Sequence, residues 1–305
     1  MRKQKFYSVV AMLIATVLWG FAFSAQACGM RHVGAMLFVA LRSIVGVAAL
    51  CVTVMCFDLV RYKRLTFWGN IQSVQEKKFL LDGGVFCGVI ICGASFFQQL
   101  GLRYVSAGKT GFLTALYIIM VPLLGIFFKR KTPVFMWAAV LAAMLGTYLL
   151  CGGTGVIGKG EIFVIICALL FALHIMVIDH YAPHCDCVRL SCVQFATATV
   201  VAAMVSLILR EPWQWQEITR SLAYWVYCGI GSSAIAFTLQ MVSQKYLHPV
   251  AAALLMSLES VFGVLGGWLF LQEVLSLREL IGCGVILAAV IIAQMPGGKK
   301  QKIPR

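Results

Sequence analysis

The sequence predicts an all-α polytopic membrane protein with ten transmembrane helices, arranged as an inverted repeat of five plus five. Three observations carry this expectation. The 305 residues are 61% hydrophobic and 12% charged, whereas soluble domains carry roughly 25% charge. Apolar runs near the roughly 20 residues that span a bilayer recur along the whole chain. A repeat is also visible. Residues 96–130 read FFQQLGLRYVSAGKTGFLTALYIIMVPLLGIFFKR, and residues 237–273 read FTLQMVSQKYLHPVAAALLMSLESVFGVLGGWLFLQE. Shifted by 142 residues, Tyr104 meets Tyr246, Leu113 meets Leu255, Leu116 meets Leu258 and Gly125 meets Gly267.

In chain order, the first apolar run starts at Phe6, behind Arg2, Lys3 and Lys5. It exceeds the h-region of a signal peptide and similar runs follow, so it reads as a span, 6–27. Spans 35–57, 80–100, 109–128 and 134–151 complete a first half, 1–151. Spans 160–178, 188–209, 222–243, 250–271 and 277–294 complete a second half, 152–305. The polar linker 58–78 reads as an amphipathic surface loop. The linker 210–221 carries Trp213 and Trp215, which suit the headgroup level. Gly152-Gly153-Thr154-Gly155 and Gly158-Lys159-Gly160 lack the spacing of a phosphate loop and read as an outer loop.

The formal charge of +14 does not signal nucleic acid. Its Lys and Arg sit mostly between apolar runs, where they set topology. With the N-terminus in the cytoplasm, inner segments hold 17 Lys and Arg and outer segments 6. Both termini are therefore expected inside, in the cell inner (plasma) membrane. Five spans per half is an odd number, so the halves must insert in opposite orientations.

Polar residues at membrane depth carry the functional reading. Glu259 stands near the middle of span 250–271, where an isolated ionised carboxylate is expensive. Two readings stay open. It gains and loses a proton as a cavity opens to each side, or it is a structural acid bonded to a neighbouring helix. Tyr117 is its counterpart under the 142-residue shift and offers a ring for a cavity wall and a hydroxyl for a partner. Pro122 removes a helical bond nearby, flanked by Gly111 and Gly125.

Trp19 supplies an aromatic wall beside Gly20, Ser24 and Ala27, whose small groups allow close helix approach. Gln98, Gln194 and Gln240 must hydrogen-bond, to substrate or to helices. Arg42 snorkels outward or pairs with an anion. His174 is a proton-relay candidate or a satisfied core histidine. Cysteine is abundant but scattered through the spans, as a small apolar residue. His180, His184, Cys185 and Cys187 cluster without the spacing of a structural zinc site, so neither metal nor cofactor is expected.

The ordered set Trp19-Gly20-Phe21, Arg42, Leu100 to Tyr104, Ala115 to Pro122, Tyr246, Leu258-Glu259 and Phe270 to Glu273 resembles the drug/metabolite transporter superfamily, ten-helix type with two EamA domains. The family pattern often has Pro after the Glu of helix 9, where this chain has Ser260. The resemblance implies a secondary transporter, exporting a small organic metabolite or amino acid through a cavity between the halves. Protons are the candidate coupling ion, membrane lipids surround the protein, and a homodimer is admissible. The alternative is a channel or lipid-moving protein of the same fold. No ATPase motif or convincing catalytic constellation is present, so no enzyme activity is expected. The substrate is not legible.

Overall fold

The computed structural model describes residues 2–63, 66–127, 132–150, 158–272, 274 and 276–294, and among these no strand forms. The Gly152 to Gly155 stretch, Lys129 to Lys131 and Glu273 lie outside the described residues.

Helix α1 spans Arg2–Gly29 and α2 spans Ala35–Tyr62. Gly34, before α2, has no side chain to cap it. Glu211 does so instead, accepting from Met36 N at 3.1 Å and Leu37 N at 2.7 Å. A carboxylate there satisfies two orphan N–H groups and suits the positive end of the helix dipole. Helix α3 spans Val74–Leu102. The surface loop expected over 58–78 is therefore shorter than its polarity suggested. The turn around Asp58 stays helical because Asp58 is fully buried against Arg189, and α2 closes only at Lys63, in the left-handed region at φ 55°.

The expected fourth span is two helices, α4 Ala107–Thr114 and α5 Tyr117–Phe127. Between them Leu116 N bonds Leu113 O at 3.2 Å and Ile118 N bonds Ala115 O at 3.0 Å, a tightened 3₁₀-type turn. The break comes before Pro122, which lies inside α5. Helix α6 spans Val134–Leu150, and α7, Lys159–Tyr181, runs into a 3₁₀ turn, Ala182–His184. Helix α8, Cys187–Ile208, is capped by Asp186. A short α9, Trp215–Arg220, leads to α10, Leu222–Tyr227, a π-helical segment Cys228–Ala236, and α11, Phe237–Gln244. The ninth expected span is also broken, into α12 Pro249–Met256 and α13 Leu258–Leu271, with α14 at Leu277–Gln294. The second break stands at Ser257, 142 residues after Ala115, and needs no proline. The Ser257 hydroxyl donates to Leu254 O at 2.7 Å, competing with the helical ladder.

Among the described residues, eight helical segments are long and apolar enough to cross a membrane, with α4–α5, α10–α11 and α12–α13 each counted once. Helices α6 and α14 are shorter, at 17 and 18 residues. The protein is an all-α polytopic membrane protein. Exposed apolar side chains such as Val52, Phe86, Leu207 and Ile291 suit a hydrocarbon surround.

Helix α3 packs on α7 and α8, α2 on α8, α6 on α14, and α1 on α13 and the α10–α11 segment. The α1–α13 contact depends on small residues, as the Gly20 stripe suggested. A Cβ on Gly20 would lie 2.2 Å from Phe262 Cβ, and one on Gly266 would lie 3.1 Å from Ser24 Oγ. Such backbone proximity replaces the hydrophobic driving force that lipid removes.

Candidate functional site

A narrow cavity opens between these helices. Its apolar walls are Trp19 and Phe23 from α1, Phe171 from α7, Phe237 from α11 and Met256 from α12. Trp19 and Phe237 meet edge to face, with centroids 4.9 Å apart, so each ring fixes the other. The polar lining consists of Gln26, Arg42, Ser95, Gln98, Ser232 and the pair Tyr117 and Glu259.

The Tyr117 hydroxyl donates to Glu259 Oε1 at 2.9 Å. Both side chains are buried, and the helix break directly precedes each of them. A carboxyl group at this depth thus has a neutral hydroxyl partner rather than a cation. Second-half Ser260 ties the same region together by donating to Gly111 O at 3.0 Å.

Two glutamines hold equivalent posts in the two repeated stretches. Gln98 Nε2 reaches Thr114 Oγ1 at 3.4 Å, and Gln240 Nε2 reaches Met256 Sδ at 3.6 Å. Each therefore pins the last residue before a break. Gln98 lines the cavity itself, whereas Gln240 stands behind Met256.

Of the residues expected to form a site, Glu259, Tyr117, Trp19 and Gln98 come together around the cavity, and His174 and Gln240 do not line it. His174 is fully buried, its Nε2 shares a 2.8 Å hydrogen bond with Gln194 Oε1, and its ring abuts Phe237 at 5.7 Å. Its ring contact with Phe237 sets it against the cavity wall rather than in it.

Arg42 does not snorkel. It is 4% exposed and points into the cavity wall. Its Nε donates to Ser233 Oγ at 3.1 Å, Nη1 to Gln26 Oε1 at 3.2 Å and Nη2 to Ser232 Oγ at 3.0 Å. Gln26 also accepts from Gln99 Nε2 at 2.9 Å. Among the described residues, no group of three or more His, Cys, Asp or Glu side chains is placed to hold a metal ion.

Comparison with known proteins places this architecture. The EamA-like transporter family matches residues 6–152 and again 158–295. An "Uncharacterized transporter" of Archaeoglobus fulgidus is 29% identical over 205 residues, 65% of this chain and 64% of that protein, so the match spans a little under two thirds of the relative. The "Uncharacterized transporter YoaV" of Bacillus subtilis is 19% identical over 93% of this chain and 95% of its own. One solved crystal structure superposes with a TM-score of 0.73 over 94% of this chain and 97% of its own, at 20% identity, which shows a shared fold.

Proposed function

The chain belongs to the EamA-like transporter family, and on that premise we propose that it is a secondary transporter that exports a small organic metabolite or amino acid by alternating access. The observation that carries this reading is the cavity itself. Its polar lining includes the hydrogen-bonded pair Tyr117 and Glu259, contributed by corresponding positions of two repeated stretches. A site built jointly by two such stretches can face either side if they rock against one another.

On this reading the two halves are 1–151 and 152–305, each of five spans, with opposite orientation in the cell inner membrane and both termini cytoplasmic. Helices α6 and α14 then serve as the fifth and tenth spans. The packing supports it. The contact of α3 with α7 has its counterpart in the contact of α10–α11 with α1, and α2–α8 and α6–α14 each pair with themselves under exchange of the halves. Glu259 carries the coupling proton, with Tyr117 as its hydrogen-bond donor.

The test is counterflow in proteoliposomes. Vesicles preloaded with members of a metabolite panel should show saturable, transient accumulation of the labelled member. Flux that never saturates and shows no counterflow would favour a channel of this fold instead.

A further inference from the structure

The transport reading leaves Arg42 unexplained. Its guanidinium is buried, yet its three hydrogen-bond partners, Gln26, Ser232 and Ser233, are all neutral. None of the ion pairs formed within 4.0 Å among the described residues includes Arg42. A buried cation without a counter-ion is costly, and the cost falls when an anion arrives.

The site is built for such an arrival. A guanidinium carries five N–H groups and cannot accept. Three are occupied here, and two remain. The bracing is unusual. Ser232 and Ser233 are adjacent, and both hydroxyls reach the same guanidinium from the π-helical segment. Two hydrogen bonds from neighbouring residues, to Nε and to Nη2, hold the plane of the fork. Trp19 lines the same cavity and its indole N–H, a donor only, has no partner among the described residues. The one cavity carboxyl, Glu259, already accepts from Tyr117. The remaining lining is polar at Ser95 and Gln98 and apolar at Phe23, Phe171, Phe237 and Met256.

The geometry points to Arg42 as the group that binds the carboxylate of the cargo. The substrate class is a small organic carboxylate with an apolar body. The carboxylate docks on the guanidinium fork, where charge-assisted bonds are strong and directional, and the body lies among the rings. This inference deepens the transporter reading and rests on it for the word cargo, but the binding it describes can be measured without transport.

The experiment uses the full chain purified in detergent. Thermal unfolding is recorded with three acid and amide pairs at equal ionic strength: phenylacetate and phenylacetamide, hexanoate and hexanamide, and L-phenylalanine and its amide. Sodium chloride alone is the control for an inorganic anion. At least one acid should stabilise the wild type in a saturable manner, its amide should not, and chloride should not reproduce the effect. Arg42→Gln should weaken the acid by at least about tenfold, the scale of one lost charge-assisted pair, and leave the amide unchanged. Arg42→Lys should retain part of the preference.

A variant-free measurement stands beside it. Hydroxyphenylglyoxal modification of Arg42 in the wild type, read by peptide mass spectrometry, should slow with the acid and not with the amide. This measurement decides the matter where Arg42→Gln does not fold. Equal behaviour of every acid and amide, including no effect from either, overturns the inference. So does an effect that chloride reproduces. If Arg42 only braces α2 against the π-helical segment, Arg42→Gln lowers the unfolding temperature but keeps the acid preference, which also overturns it. Acid preference without counterflow retires the transporter reading and keeps the subsite. Counterflow of a neutral cargo without acid preference does the reverse.

Discussion

Tyr117 and Glu259 are each other's counterparts under the 142-residue repeat, and they share a hydrogen bond of 2.9 Å. A residue can touch its own repeat mate only where the two repeated stretches meet. The pair therefore marks their common boundary, and each member follows a helix break by no more than two residues.

Glu259→Gln keeps the shape and most of the hydrogen bonding of this pair but cannot titrate. Accumulation driven by a pH gradient should collapse, while exchange between equal pools survives. Paired uptake and counterflow in reconstituted vesicles reads both. Wild-type accumulation by Glu259→Gln, with misfolding of Glu259→Ala, would instead identify a purely structural acid.

Gly20 lets α1 lie against α13. Its missing Cβ would clash with Phe262 Cβ at 2.2 Å and with the backbone at 2.7 Å. Gly20→Ala should destabilise the fold by about 1–3 kcal/mol, the usual range for overpacking. Gly284, where a Cβ meets nothing within 4 Å, is the matched control, and Gly284→Ala should leave the unfolding temperature unchanged. Thermal unfolding in detergent compares the two, and equal effects would refute the close-contact account.

Arg189 and Asp58 form an ion pair between α8 and α2, with Asp58 fully buried and Arg189 also donating to Phe67 O at 2.7 Å. Removing one partner strands the other. Arg189→Gln should cost about 3–5 kcal/mol, read as loss of monodisperse protein in gel filtration and a lowered unfolding temperature. Adding Asp58→Asn should recover much of the loss. No recovery would mean that the Arg189 contacts with Phe67 and Asp186, not its pair with Asp58, hold the helix ends.

Outside the spans, Glu217 shares a 2.9 Å hydrogen bond with His32 and accepts from Arg220 at 2.5 Å. The His32 bond first, and Arg220 with it, hold its carboxyl below the usual range. A group depressed in this way stabilises the fold above its unfolded value, about 4.3. That contribution disappears as pH falls through the folded value. The gap in unfolding temperature between wild type and Glu217→Gln should therefore be open at neutral pH and close in the acid range. A gap that stays constant down to pH about 3, below the unfolded value, would exclude the pairing.

The membrane class and the repeat register were legible because apolar run length and a 142-residue shift are properties of the string alone. The same shift singled out Tyr117 and Glu259 before any contact was known. It could also have paired Gln98 with Gln240, since the residues they pin, Thr114 and Met256, obey it too. The role of Arg42 was hidden because its serine partners lie about 190 residues away and meet it only through a π-helical turn. No periodicity announces such a turn, although Gly229, Gly231, Ser232 and Ser233 form a patch of small residues there. The reach of α2 to Tyr62 was missed for a similar reason. Asp58 looks like the start of a loop until Arg189, 131 residues on, is seen to bury it.

The unlike chemistry of the central pair bears on energetics. Two identical halves inserted head to tail would give inward-facing and outward-facing shapes the same free energy, by symmetry alone. Every position where a residue differs from its mate lifts that degeneracy. On the proposed alternating-access reading, phenol against carboxyl at 117 and 259, and hydroxyl against thioether at 114 and 256, lift it at the centre, where each contact would be remade as the halves rock. On that reading, the resting preference of the molecule for one side would be written in the sequence differences between its halves. Making those mates alike, one pair at a time, would tune a rectifier toward an unbiased exchanger.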